Sequence, residues 1–142
     1  MNEIPNSGRL LGLDLGDARI GVAISDDAQV LATPYSKIKR VGDRRKEFEE
    51  IQYLIEENTI AGIVVGEPLN LDGSASVQTE KVRSETNALA KVVAVPVELV
   101  DERLSSAQGH KSLTESGLEA RDHKEVIDSV AAAIILQAFI DC

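Results

Sequence analysis

Between Arg9 and Lys39 the chain reads as three strand-length runs in succession, and only from Arg44 does its hydrophobic period lengthen to that of a helix. The first run, RLLGLDLG from Arg9 to Gly16, is apolar and ends at a glycine; the second, RIGVAIS from Arg19 to Ser25, is rich in β-formers. The short connection through Gly16, Asp17 and Ala18 predicts an antiparallel hairpin. Leu31 to Lys39 forms the third run, and Pro34 inside it lacks a ladder donor, which assigns that strand to the sheet edge.

Beyond this point the pattern alternates. In Arg44 to Asn58, the residues Phe48, Ile51, Leu54 and Ile55 recur at helical spacing. IAGIVVG, from Ile60 to Gly66, is a short continuous apolar run of the kind buried on both faces of a sheet. Glu67 to Ser76 is loop by composition, and Val77 to Lys91 is a second helix with Val82, Thr86 and Leu89 on one side. VPVELV, from Val95 to Val100, is a fifth strand. Ser105 and Gln108 have capping-box spacing for a helix ending near Gly117, and Asp122 with Glu125 marks another start. The final helix, to about Ile140, is apolar enough to be largely buried. Three antiparallel strands followed by two right-handed crossovers make an α/β fold: a mixed five-stranded sheet with helices on both faces.

Composition agrees. The 142 residues suit one domain, 1–142, and aromatics at 3% leave the core to Val, Ile, Leu and Ala. The one cysteine, Cys142, has no partner for an internal disulfide. The N-terminal stretch lacks a signal-peptide core, and no apolar run approaches a membrane span; the expectation is a cytoplasmic protein with no membrane partner. The formal charge of −9 argues superficially against nucleic acid. Its distribution argues otherwise, because 6 of the 15 basic residues (Lys37, Lys39, Arg40, Arg44, Arg45 and Lys46) fall within one short stretch. That stretch is either a solvated helix entrance or a patch that tracks phosphates.

The residues that carry chemistry are acids in unsuitable places. Asp14 stands between Leu13 and Leu15 in the first strand, and Asp128 lies among Ile127, Val130, Ala131 and Ala132 in the last helix. Burying an unpaired carboxylate costs several kcal/mol. Asp101 and Glu102 close the fifth strand. In the expected fold these positions meet on one side of the sheet, where carboxylates repel one another and a divalent cation removes the penalty. Oxygen ligands without nearby His or Cys favour Mg²⁺ or Mn²⁺ over zinc. His110 and His123 lie in polar surroundings without a partner at ligand spacing and read as surface residues.

Four segments, GLDLGDARIGVAISD (Gly12 to Asp26), VGEPLNLDG (Val65 to Gly73), VDERLSSAQ (Val100 to Gln108) and KEVIDSVAAAIILQAFID (Lys124 to Asp141), resemble in order and spacing the YqgF family, also called RuvX. Its members are pre-ribosomal-RNA nucleases and Holliday-junction-resolvase-like proteins. The resemblance implies a ribonuclease-H-like fold, a single nuclease domain, and Asp14, Glu102 and Asp128 as catalytic and metal-holding acids. It favours processing of the 5′ end of pre-16S rRNA in ribosome biogenesis, with resolution of branched DNA as the alternative, by a monomer or homodimer. Where the family has an apolar residue, commonly Leu, this chain has Glu67. That acid either supplements the site or is a tolerated loop residue, and Asp101 is the other acid that could assist.

Hydrolysis of a phosphodiester needs in-line attack by water and stabilisation of the leaving oxygen, which two divalent ions provide. Arg19 and Arg103 are candidates to hold flanking phosphates together with Lys39, Arg40, Arg44 and Arg45; Arg103 could equally be the salt-bridge partner that fixes Glu102. Two other classes compete. A sugar-kinase or actin-like ATPase would share the LDLGDARIGVAIS motif but needs a second domain and a second phosphate loop. A non-catalytic nucleic-acid-binding module would not need all three acids.

Overall fold

The computed structural model of the protein describes residues 3–104 and 120–142. The helix expected from Ser105 to Gly117 and the residue His110 lie outside these residues, as does the side chain of His123. The three leading strands are β1 (Arg9–Leu15), β2 (Arg19–Ser25) and β3 (Ala32–Lys39). They are followed by α1 (Arg44–Asn58), β4 (Ile60–Glu67), α2 (Val77–Val92), β5 (Val97–Asp101), a 3₁₀ turn (Glu102–Leu104) and the long helix α3 (Ala120–Ile140).

The strands form one five-stranded sheet in the order β3-β2-β1-β4-β5. β1, β2 and β3 run antiparallel in succession, while β4 and β5 join β1 in parallel. Pro34 does lie on an edge strand. The register beside it slips from Val22↔Ser36 to Ala23↔Pro34, so Tyr35 is the extra residue of a bulge.

Alternation along β1 divides the core. Leu11, Leu13 and Leu15 point to the face covered by α1 and α2, where they meet Val22, Phe48, Ile51, Ile63, Val65, Val82 and Leu89. Leu10 points to the other face and packs with Ala23, Val64, Ala132, Ala133, Ile135 and Leu136 under α3. Both covering helices on the first face are capped. The Asp43 side chain accepts from the amides of Arg45 and Lys46 at the start of α1, and Ser76 with Thr79 forms a capping box at the start of α2.

One feature of the packing escaped the hydrophobic pattern. Arg40, just after β3, donates to Glu47 on α1, to Glu85 on α2 and to the Gly16 carbonyl after β1. Both acids are buried, and neither Glu47 nor Glu85 was among the residues the helical spacing placed on the inward stripes. Burial pushes the Glu47 carboxyl up, but the Val41 amide and then Arg40 outweigh it and hold the group below the usual carboxylate range.

Candidate active site

The same alternation that sends Leu13 and Leu15 toward α1 and α2 turns Asp14 toward α3. Its flanking leucines are therefore not its neighbours in space. Directly opposite on β2 is Gly21, and there α3 comes down onto the sheet. A Cβ on Gly21 would lie 1.9 Å from the Asp128 carbonyl oxygen. Farther along α3, a Cβ on Gly12 would meet the Leu136 Cβ at 2.8 Å, and one on Gly66 the Ile135 Cδ1 at 2.6 Å. These three strand glycines let the helix lie close against the pleat. Asp128 stands one turn before Ala132 and two before Ile135 and Leu136, all buried, so it shares the stripe that faces the sheet.

Glu102 reaches the same place from the other side. β5 ends at Asp101, which pairs in register with Glu67, and the chain then tightens into the 3₁₀ turn. Glu102 Oε2 lies 3.5 Å from where a Gly66 Cβ would stand, above β4 and beside β1. Asp14, Glu102 and Asp128 thus gather on the α3 face. Burial first, then the charges of Glu102 and Asp128, push the Asp14 carboxyl up from 3.8 to about 7. Burial also raises Glu102.

Asp101 and Glu67 turn the other way. Glu67 accepts from Arg83 Nε of α2 at 2.6 Å, and Asp101 is clasped by Arg103, whose Nη2 lies 2.6 Å from Oδ2. Arg103 also donates to the Leu71 carbonyl, tying the loop after β4 to the end of β5. The salt-bridge partner of Arg103 is therefore Asp101 and not Glu102, because only the neighbour one residue before Glu102 projects to its side.

The cations divide between the faces. Arg19 donates through Nε to Asp128 Oδ2 at 2.6 Å. By register Lys39 pairs with Arg19 and Lys37 with Gly21, so both exposed lysines project from the face that carries Asp14. Arg40 is committed to its acids on the α1–α2 face, and the exposed Arg44 and Arg45 belong to the first turn of α1. Lys37 entered the sequence reading only as a member of the basic cluster, not among the individual phosphate candidates, and the glycines did not enter it as site positions. Interior strand glycines are the signal that could have revealed the helix approach.

The carboxylate set suits a hard divalent cation, since a group held neutral up to about pH 7 by burial and like charge gains most from one. Among the described residues, however, no three acidic, His or Cys groups stand arranged as a ready-made cage.

A β3-β2-β1-β4-β5 sheet, with acids from β1, the β5 end and the helix beyond, defines a ribonuclease-H-like protein. The fold is similar to that of RuvC of T. thermophilus in complex with a Holliday junction substrate, at a TM-score of 0.60 and 13% identity over 94% of this chain and 96% of that one. Sequence comparison goes further. The RuvX family, described as Holliday junction resolvase, matches residues 8–142. A protein of Clostridioides difficile named "Putative pre-16S rRNA nuclease" is 41% identical over 94% of each chain. One of the same name from Maridesulfovibrio salexigens is 41% identical over 93% of this chain and 97% of its own. The chain belongs to the RuvX family and, with it, to the nucleases.

Proposed function

We propose that this chain is a divalent-metal-dependent nuclease, a single catalytic domain that acts in processing the 5′ end of precursor 16S rRNA in the cytoplasm. The observation that carries the reading is the convergence of Asp14, Glu102 and Asp128 beneath α3, with Asp14 driven up to about 7 by burial and by the other two. Asp14, Glu102 and Asp128 would hold Mg²⁺ or Mn²⁺, which supplies Lewis acidity for attack of water on the phosphodiester and for departure of the leaving oxygen. Asp14 is central because β1 is the middle strand and both other acids approach it. Lys39 and Lys37 draw the phosphate backbone across the α3 face, while Arg44 and Arg45 offer a second contact beyond the sheet edge. Asp101 and Arg103 position the turn from which Glu102 projects.

Cleavage of a branched DNA junction is the second reading, favoured by the description of the family itself. Digestion of a precursor 16S rRNA fragment, single-stranded DNA and a four-way junction, with and without Mn²⁺, separates the two. The expected outcome is metal-dependent cutting of the RNA by the wild type and none by Asp14→Asn. If the wild type cuts nothing, the nuclease reading fails in favour of a binding module.

A further inference from the structure

Arg19 already holds one of the three acids. Its Nε lies 2.6 Å from Asp128 Oδ2, the length of a strong charge-assisted hydrogen bond. The backbone sets this pairing. Arg19 stands two residues before Gly21 on the same face of β2, and at Gly21 the Asp128 main chain presses against the sheet.

Arg19 differs from the other arginines near the sheet ends. Arg40 is held by two carboxylates and a carbonyl, and Arg103 by Asp101 and the Leu71 carbonyl. Among the described residues, the Arg19 guanidinium makes a single side-chain bond, and its side chain is 40% exposed against 18% for Arg40. It is free to swing once Asp128 finds another partner. The place it would swing toward is prepared, because Lys39 stands opposite it in register and Lys37 opposite Gly21.

We propose that Arg19 is the resident counter-ion of the site: it holds Asp128 until a divalent ion claims that carboxylate, and then turns to the phosphate backbone beside Lys37 and Lys39. The inference rests on the metal-nuclease reading above. The guanidinium occupies Asp128 Oδ2, and a divalent ion that takes this carboxylate competes with Arg19 for its lone pairs and repels its charge. The displaced charge becomes available only when the metal is in place. Substrate thereby binds more tightly to the loaded enzyme than to the empty one, and metal binds more tightly when substrate is present.

The test is calorimetric titration of the full chain with Mn²⁺, without substrate, for wild type, Arg19→Gln, Arg19→Lys, Asp14→Asn, Asp128→Asn and the Arg19→Gln/Asp128→Asn double variant. Arg19→Gln is expected to tighten Mn²⁺ binding about tenfold, or about 1.4 kcal/mol. Arg19→Lys, which keeps the charge without the planar fork, tightens it less and serves if the Gln variant does not fold. In the Asp128→Asn background, Arg19→Gln is expected to change affinity by less than about twofold. Equal tightening in both backgrounds would mean that Arg19 acts only as a distant charge, and no tightening would mean no competition; either overturns the inference. With Ca²⁺ in place of Mn²⁺, the salt slope of RNA binding should be steeper for wild type than for Arg19→Gln by about one phosphate contact, and equal without Ca²⁺. A slope difference that is already present without Ca²⁺ also overturns it. Mn²⁺ binding that is absent, or that survives in Asp14→Asn, sinks the metal-site reading and this inference together. Binding lost in Asp14→Asn but indifferent to Arg19 sinks the inference alone.

Discussion

Replacing Asp14 by Asn is expected to stabilise the metal-free protein above neutral pH, although the residue lies at the centre of the sheet. In the folded chain its carboxyl titrates at about 7 rather than 3.8, so folding favours the protonated form. A displacement of that size corresponds to about 4 kcal/mol of preference for the neutral group. The sign follows from proton counts. Between about pH 4 and pH 7 the folded wild type binds more protons at this group than the unfolded chain, so its stability falls as pH rises through that window. Asn is nearly isosteric with the protonated acid and does not titrate. The two proteins should therefore match at about pH 4, and the variant should lead by at least roughly 1.5 kcal/mol at about pH 8, relaxation and the new amide consuming the rest. Urea unfolding in the presence of a chelator at both pH values measures this directly. With millimolar Mn²⁺ at the higher pH the order should reverse, because only the wild type gains binding energy on folding. A variant that is less stable by the same margin at both pH values would refute the reasoning, since it would show that Asp14 is held by packing and hydrogen bonds and not strained by charge.

Single-turnover cleavage should fall at least about a hundredfold in Glu102→Gln, whereas Asp101→Asn and Glu67→Gln, whose carboxylates face the α2 side, should each lose less than about tenfold. Gly21→Ala places a methyl 1.9 Å from the Asp128 carbonyl. It should cost about 3 kcal/mol or more in urea unfolding, with loss of cleavage, as α3 is pushed off the sheet. Lys37→Ala and Lys39→Ala should each flatten the salt slope of RNA binding by about one contact and leave stability unchanged, which filter binding across a salt series reads out. Arg40→Ala should instead lower stability by about 3 kcal/mol, because it leaves the buried Glu47 and Glu85 without their cation.

The strand order and most element limits were legible because each run carries one clear period. RIGVAIS and the Arg44–Asn58 stripe occur at the lengths the pattern predicts, and Pro34 marked the edge strand. The acids were legible as anomalies, a carboxyl wherever burial predicted a hydrocarbon. What the sequence could not reveal was contact between distant segments. Glu47 and Glu85 look like solvent-facing positions of amphipathic helices until Arg40 is brought between them. Gly21 looks like one more small residue in an apolar run until a helix arrives from the far end of the chain. The basic stretch was visible as a cluster. Its division between two faces, with Lys37 and Lys39 turned to the acids and Arg40 turned away, depends on the strand's register and its exit from the sheet.

On the proposed assignment of the acids, the dependence of the α3 face on its helix also sets when, during synthesis, Asp14 and Asp128 can meet. Asp14 emerges in the first strand and Asp128 in the last described helix, so a nascent chain has one acid long before it has the third. Until α3 follows, Leu10, Ala23 and Val64 lack the helix that packs on them. Domains acquire structure N-terminal part first as they are made. A half-made chain would thus expose a sticky sheet face and, on the proposed reading, lack the means to cut. The helix that covers this face of the core also carries the third acid of the proposed site, so on that reading nuclease competence waits for α3.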